Sequence, residues 1–87
     1  MFKLDITKEA KDFLNRLDAK QFRQIVKKTL SLTSNPYPVD SEQLSGSKYR
    51  RVNIGEYRII YLIEGDTLKI AMIGKRNDDA VYKQYKR

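Results

Sequence analysis

The sequence predicts an α+β domain of order β-α-α-β-β-β, with an αα-hairpin packed on an antiparallel meander and a short carboxy-terminal helix. Three observations predict it. The first residues alternate apolar and polar, the next two segments carry apolar residues at helical spacing, and three strand-like runs follow, divided by Gly55-Glu56 and Gly65-Asp66. At 87 residues the chain reads as one domain, 1–87, with room for one core.

Phe2, Leu4 and Ile6 alternate with Lys3, Asp5 and Thr7, the period of a half-buried strand. Thr7 then precedes KEAKDFLNRLD, where Ala10, Phe13, Leu14 and Leu17 form one apolar face, so Thr7 is the expected N-cap. Asp18 is placed to cap a second helix over AKQFRQIVKKTLSLTS, whose apolar set is Phe22, Ile25, Val26, Thr29 and Leu30. Asn35-Pro36-Tyr37-Pro38 ends that helix, because proline lacks a donor and disfavours helix in the residue before it. From there to Gly46 the chain reads as loop. KYRRVNI is the next strand, Gly55-Glu56 a tight turn, and YRIIYLI a run apolar on both faces and therefore central. Gly65-Asp66 turns the chain into TLKIAMIG, which completes the meander, and the first strand is expected on one of its edges. In NDDAVYKQYKR, Ala80, Val81, Tyr82 and Tyr85 have helical spacing, with Asn77 or Asp78 as cap.

Composition narrows the chemistry. The chain has neither cysteine nor histidine, which excludes disulfides and thiolate metal sites and removes the commonest general base. No apolar run approaches the roughly 20 residues of a membrane span, and MFKLDITKEAKDF has no signal-peptide core, so a cytoplasmic protein is expected. Eighteen Lys and Arg against eleven Asp and Glu give a net charge of +7 and a pI near 9.7. Such a balance favours a polyanionic partner, nucleic acid or ribosome, over a basic surface that serves solubility alone.

Within the meander, Arg58 starts one strand, Lys75 and Arg76 end its antiparallel neighbour, and Arg51 lies across the Gly55-Glu56 turn. Three guanidiniums gathered at one sheet end repel one another, an arrangement suited to binding phosphate through charge-assisted hydrogen bonds. The alternative is that each pairs separately with Glu56, Glu64 or Asp78, contacts worth only about 0–1 kcal/mol. Tyr82 adds a phenol whose ordinary pKa of about 10 would fall beside such cations. It also suits packing against the sheet, or stacking on a base. Ser45-Gly46-Ser47-Lys48 lacks phosphate-loop spacing, and the sequence has no GxGxxG, serine triad or metal-ligand cluster.

The run Y-R-R-V-N-I-G-E-Y-R-I-I-Y, followed by I-G-K-R-N-D-D-A-V-Y-K, resembles the RelE/ParE superfamily of type II toxin–antitoxin toxins. The resemblance extends to the preceding strand, the helical hairpin and Leu44 to Gly46, and the carboxy-terminal Arg and Tyr favour the RelE branch. It implies a toxin that enters the ribosomal A site and cleaves messenger RNA there, without a metal or other cofactor, by attack of the substrate's own 2′-hydroxyl on the adjacent phosphate. Arg58, Arg76 and Tyr82 then correspond to catalytic residues, while Arg51, Lys75, Lys48 and Arg50 correspond to RNA-binding positions. Arg51 stands where the family often has a lysine, and Tyr49 replaces a second lysine found in some members. Lys20, Arg23, Lys27 and Lys28 on the second helix would bind ribosomal RNA. The implied partners are a cognate antitoxin, the ribosome and messenger RNA, with no membrane. A ParE-like inhibitor of DNA gyrase, or a non-catalytic RNA- or antitoxin-binding module, are the alternatives.

Overall fold

Thr7 and Asp18 start the two helices as their positions predict. In the computed structural model, which describes residues 1–77, strand β1 (Lys3–Ile6) leads into helix α1 (Lys8–Asn15), and the Thr7 side chain accepts a bond from the Ala10 N–H. Asp18 likewise accepts from the Gln21 N–H at the start of α2 (Ala19–Ser34). Caps of this kind satisfy amide groups that the first helical turn leaves unpaired, each worth about 1 kcal/mol.

The chain then forms β2 (Ser41–Gln43), β3 (Arg50–Ile54), β4 (Tyr57–Glu64) and β5 (Thr67–Lys75). The five strands are ordered β1-β5-β4-β3-β2, with β1 parallel to β5 and the other pairs antiparallel. Run β4 is therefore central, and β1 does lie on the edge of the meander. Gly55 and Gly65 hold φ of 58° and 61° in the two turns, a region that costs a residue with a Cβ strain.

Strand β2 corrects the reading of this stretch as loop. Its three residues, Ser41, Glu42 and Gln43, carry no apolar alternation, and they are extended because β3 supplies a pairing edge. A second correction concerns α2. Its buried residues are Ile25, Thr29, Leu32 and Thr33, whereas Phe22 and Leu30 are 39% and 53% exposed, so the helix lies rotated from the expected face. The expected carboxy-terminal helix lies outside the described residues.

Both helices cover one face of the sheet. There Ala10, Leu14, Ile25 and Leu32 pack with Val52, Tyr57, Ile59, Tyr61, Leu68, Ile70 and Ile73. The Phe13 and Tyr57 rings meet edge to face at 5.9 Å, and the Tyr57 hydroxyl donates to Gln21 at 2.8 Å. Fully buried Tyr61 donates to the Pro36 carbonyl at 2.7 Å, fastening the loop after α2 to the central strand.

Among the described residues, no helix covers the other face, which is open apart from a small cluster in which Leu44 and Ile60 are buried beside Tyr49, Ala71 and Met72. Strand β5 serves both faces because its register shifts: Ile70 pairs with Tyr61 but Met72 pairs with Ile60, leaving Ala71 as an extra residue. Such a bulge reverses which side chains face which way beyond it. The Thr7 hydroxyl holds it, donating to the Ala71 carbonyl at 2.8 Å. Leu68 and Ile70 before the bulge, and Ile73 after it, consequently reach the same core.

Candidate functional site

The two-residue turn at Gly55-Glu56 sets the geometry of the open face. It places Ile54 opposite Tyr57, Asn53 opposite Arg58 and Arg51 opposite Ile60. Because Tyr57 and Ile59 enter the helix-side core, Arg58 and Ile60 project from the other face, together with Asn53 and Arg51. Arg51 and Arg58 are diagonal neighbours on that face. Gly74 lies opposite Arg58 on its other flank, so the position directly opposite on β5 contributes no side chain.

Neither arginine pairs with Glu56 or Glu64 through the contacts seen here. Arg51 forms an ion pair with Glu42 at 2.7 Å, and Arg58 donates from Nε to the Asn53 Oδ1 at 3.0 Å. Glu42 reaches Arg51 because β2 places the two directly opposite. The arrangement therefore holds two guanidiniums on one surface through partners that also lie on it. Beside them is an apolar floor of Leu44, Tyr49, Ile60 and Met72. A surface that combines fixed guanidiniums with an aromatic and apolar floor can take a phosphate and an adjoining base together.

Arg76 joins the same sheet end through the turn. Its backbone N–H donates to the Glu56 carbonyl at 3.0 Å, and its guanidinium donates to the Gly55 carbonyl at 3.2 Å. Arg58 and Arg76 are thus brought together at one end, as the strand order predicts. Tyr82 lies outside the described residues.

Lys75 is turned to the opposite face. The Ala71 bulge gives it the orientation of Ile73, and it lines a cleft of about 680 Å³ with Glu9, Phe13 and Arg16. Arg50 is also on the helix side, where it donates to Ser41 at 2.8 Å and Gln43 at 3.3 Å and lies 5.0 Å from the Tyr37 ring centre. Its Nε is buried without a hydrogen-bond partner. Arg50 therefore joins the loop after α2 to the β2–β3 hairpin. Lys48 approaches the Tyr49 ring at 6.0 Å, beside the apolar floor.

On α2, Lys20, Arg23 and Lys27 are exposed and recur at three and four residues, one stripe on the side away from Ile25. Lys28 is set apart from them by its 2.8 Å ion pair with Asp40. That hydrogen bond holds the Asp40 carboxyl below its ordinary pKa of 3.8.

Two residues of the open face escaped the sequence reading. Asn53 had a signal, since counting outward from a two-residue turn pairs position 53 with 58. Glu42 had none, because its role depends on β2. Among the described residues, no helix is long and apolar enough to cross a membrane.

The profile of the family described as ParE toxin of type II toxin-antitoxin system, parDE, matches residues 4–80. No curated protein matches the chain in sequence. Among solved structures, it is similar to the archaeal RelE–RelB complex from Pyrococcus horikoshii, with 24% identity and a TM-score of 0.78 over 88% of this chain and 97% of that one. The isolated Escherichia coli RelE toxin matches with 17% identity and a TM-score of 0.77, covering 97% of this chain and 94% of the other. A Mycobacterium tuberculosis RelBE2 toxin–antitoxin complex matches with 20% identity and a TM-score of 0.76, covering 86% and 98%. At these identities the likeness establishes the fold.

Proposed function

Because this chain belongs to the ParE toxin family of type II toxin–antitoxin systems, within the RelE/ParE superfamily, we propose that it is a RelE-like toxin that cleaves messenger RNA on the ribosome. The observation that carries this reading is the open sheet face, where Arg51 and Arg58 stand diagonal to each other with Arg76 at the adjoining turn. An inhibitor that acts only by blocking a protein partner has no evident need for guanidiniums arrayed beside an aromatic floor.

In the proposed reaction the 2′-oxygen bonds to the adjacent phosphorus and the bond to the 5′-oxygen breaks. The products are a 2′,3′-cyclic phosphate and a 5′-hydroxyl. Arg58 stabilises the charge that builds on the phosphoryl oxygens, a role in which fixed donors are most effective because they need no reorganisation. Arg76 binds the scissile phosphate and steadies the leaving oxygen electrostatically, since a group with a pKa above about 12 is a poor proton donor. Tyr82, in its phenolate form, orients the 2′-hydroxyl and takes its proton, and the leaving 5′-oxygen takes a proton from water. Arg51 holds the backbone of the RNA, with Lys48 at the rim.

With no histidine in the chain, the ribosome completes the site by holding the codon in a geometry suited to in-line attack. The exposed Lys20, Arg23 and Lys27 stripe contacts ribosomal RNA. A cognate antitoxin with an acidic segment covers the Arg51, Arg58 and Arg76 surface when the toxin is silent, and both proteins act in the cytoplasm. The neighbours known as toxin–antitoxin complexes support that partner.

The family profile, which is that of ParE, favours a second reading as an inhibitor of DNA gyrase. One experiment separates the two: the toxin is induced in a test cell and the 5′ ends of its messages are mapped. Cuts inside translated codons support the nuclease. Intact messages, together with loss of supercoiling by gyrase, would replace it with the second reading.

A further inference from the structure

We propose that Asn53 is the positioning residue for Arg58, an assignment that rests on the nuclease reading and adds to it a residue to which the resemblance gives no role. The turn at Gly55-Glu56 places the two directly opposite each other on β3 and β4, and both project from the open face. Their contact is specific in its atoms. The Arg58 Nε–H donates to the Asn53 Oδ1 at 3.0 Å, part-buried between the strands. A bond at Nε fixes the plane of the guanidinium, because Nε lies in that plane and is its link to the side chain. The fork of Nη groups is then aimed by the backbone pairing of two strands rather than by a free side-chain rotor.

The choice of an amide matters as much as its place. A carboxylate opposite Arg58 would hold it at least as firmly but would offset its charge, as Glu42 does for Arg51 at 2.7 Å. The amide brings no charge to the contact. Asn53 therefore adds no charge of its own that would weaken the attraction of Arg58 for a phosphoryl group, whereas Glu42 adds one beside Arg51. Arg51, paired with an acid, suits a backbone contact that can be exchanged. Arg58, oriented at its Nε by a neutral acceptor, suits the transition state, where fixed orientation counts most.

The test uses purified toxin, ribosomes programmed with a message, and the variants Asn53→Ala and Asn53→Asp. In single-turnover cleavage, Asn53→Ala should lower the rate at saturating toxin by about 10-fold or more, the scale of a misplaced catalytic contact. The half-saturating concentration and the melting temperature should stay near wild type. Asn53→Asp keeps the acceptor but offsets the charge of Arg58, so it should lower the rate and raise the half-saturating concentration while the melting temperature stays near wild type. A uniform loss of rate, binding and stability in both variants would mark Asn53 as merely structural and overturn the proposal. So would a wild-type rate in Asn53→Ala.

Solvent exchange of the Arg58 Nε proton, followed by nitrogen-15 NMR on the toxin alone, provides a readout without cleavage. Exchange should quicken in Asn53→Ala and return towards wild type in Asn53→Asp, whereas unchanged exchange in Asn53→Ala overturns the positioning role. Wild-type toxin that cuts nothing on ribosomes would sink the nuclease reading, while the exchange measurement still decides whether Asn53 holds Arg58.

Discussion

Glu42 holds Arg51 in the free protein, so replacing it by glutamine should release Arg51 to RNA. The magnitude follows from the pair's exposure. The carboxylate side chain is 67% exposed, and the contact spans 2.7 Å. An ion pair so well solvated is worth about 0–1 kcal/mol, which caps the gain in RNA affinity for Glu42→Gln at about fivefold. A second signature is independent of that cap. One additional phosphate contact on single-stranded RNA steepens the salt dependence by about 0.7 in the logarithmic slope, so a fourfold rise in salt should cost the variant an extra factor of about 2.6. Fluorescence anisotropy with a short labelled RNA carrying 2′-deoxyribose at the scissile position, across about 50–200 mM salt, measures both. The control is Arg51→Ala, in whose background Glu42→Gln should change neither affinity nor slope. A gain that persists without Arg51 would be a general effect of net charge, and the assignment of Arg51 to the RNA backbone would fail.

Three further outcomes are expected. Arg58→Ala and Arg76→Ala should each abolish growth arrest while the protein still melts cooperatively near the wild-type temperature, since both side chains project from the open sheet end; joint loss of fold and toxicity would make them structural. Tyr61→Phe should destabilise the domain by about 1–3 kcal/mol, because it strands the Pro36 carbonyl that the Tyr61 hydroxyl satisfies at 2.7 Å. For a chain of this size each 1 kcal/mol lowers the melting temperature by about 4–8 °C, and an unchanged melt would show that the loop does not depend on this bond. The Lys28–Asp40 pair should stabilise the fold only while Asp40 is ionised. Because its folded pKa is depressed below 3.8, the contribution is present above the unfolded value and is lost as pH falls through the folded one. Melts of wild type and Asp40→Asn should therefore differ slightly at neutral pH and converge as pH falls through the depressed folded pKa of Asp40; a difference that grows in acid would reverse the sign.

The parts legible in the sequence were those set by local chemistry. Thr7 and Asp18 cap helices because their oxygens meet amide groups three residues on, and Gly55 and Gly65 mark turns because those turns need positive φ. The doubly apolar run from Tyr57 was readable as the central strand, since its residues are buried on both faces of the sheet. What escaped was decided by distant parts of the chain. Strand β2 is polar and extended only because β3 is beside it. The face of α2 was misjudged because Leu32 and Thr33 near its end, rather than Phe22 near its start, meet the sheet.

The site followed the same division. Arg58 and Arg76 were brought to one end by strand order, which turns alone specify. Arg50, Arg51 and Lys75 were sorted by which face each side chain takes, and that depends on parity. Arg50 shares the parity of core residue Val52, so it is drawn to the helix side and engages Ser41 and Gln43, while Arg51 next to it reaches the open face. For Lys75 the parity is reversed by a single residue. The apolar positions of β5 run 68, 70 and then 73, a spacing of three where an unbroken strand has two, and Ala71 is the bulge that this spacing requires. Without it, Lys75 would project beside Arg58 and Gly74 would face the helices. With it, Gly74 lies opposite Arg58 and the lysine turns towards Phe13 and Arg16. The bulge that completes the core is thus also what sets Gly74, rather than Lys75, on the face of Arg58, so the packing of Ile73 and the β5 neighbour of the proposed phosphate site are two consequences of one extra residue.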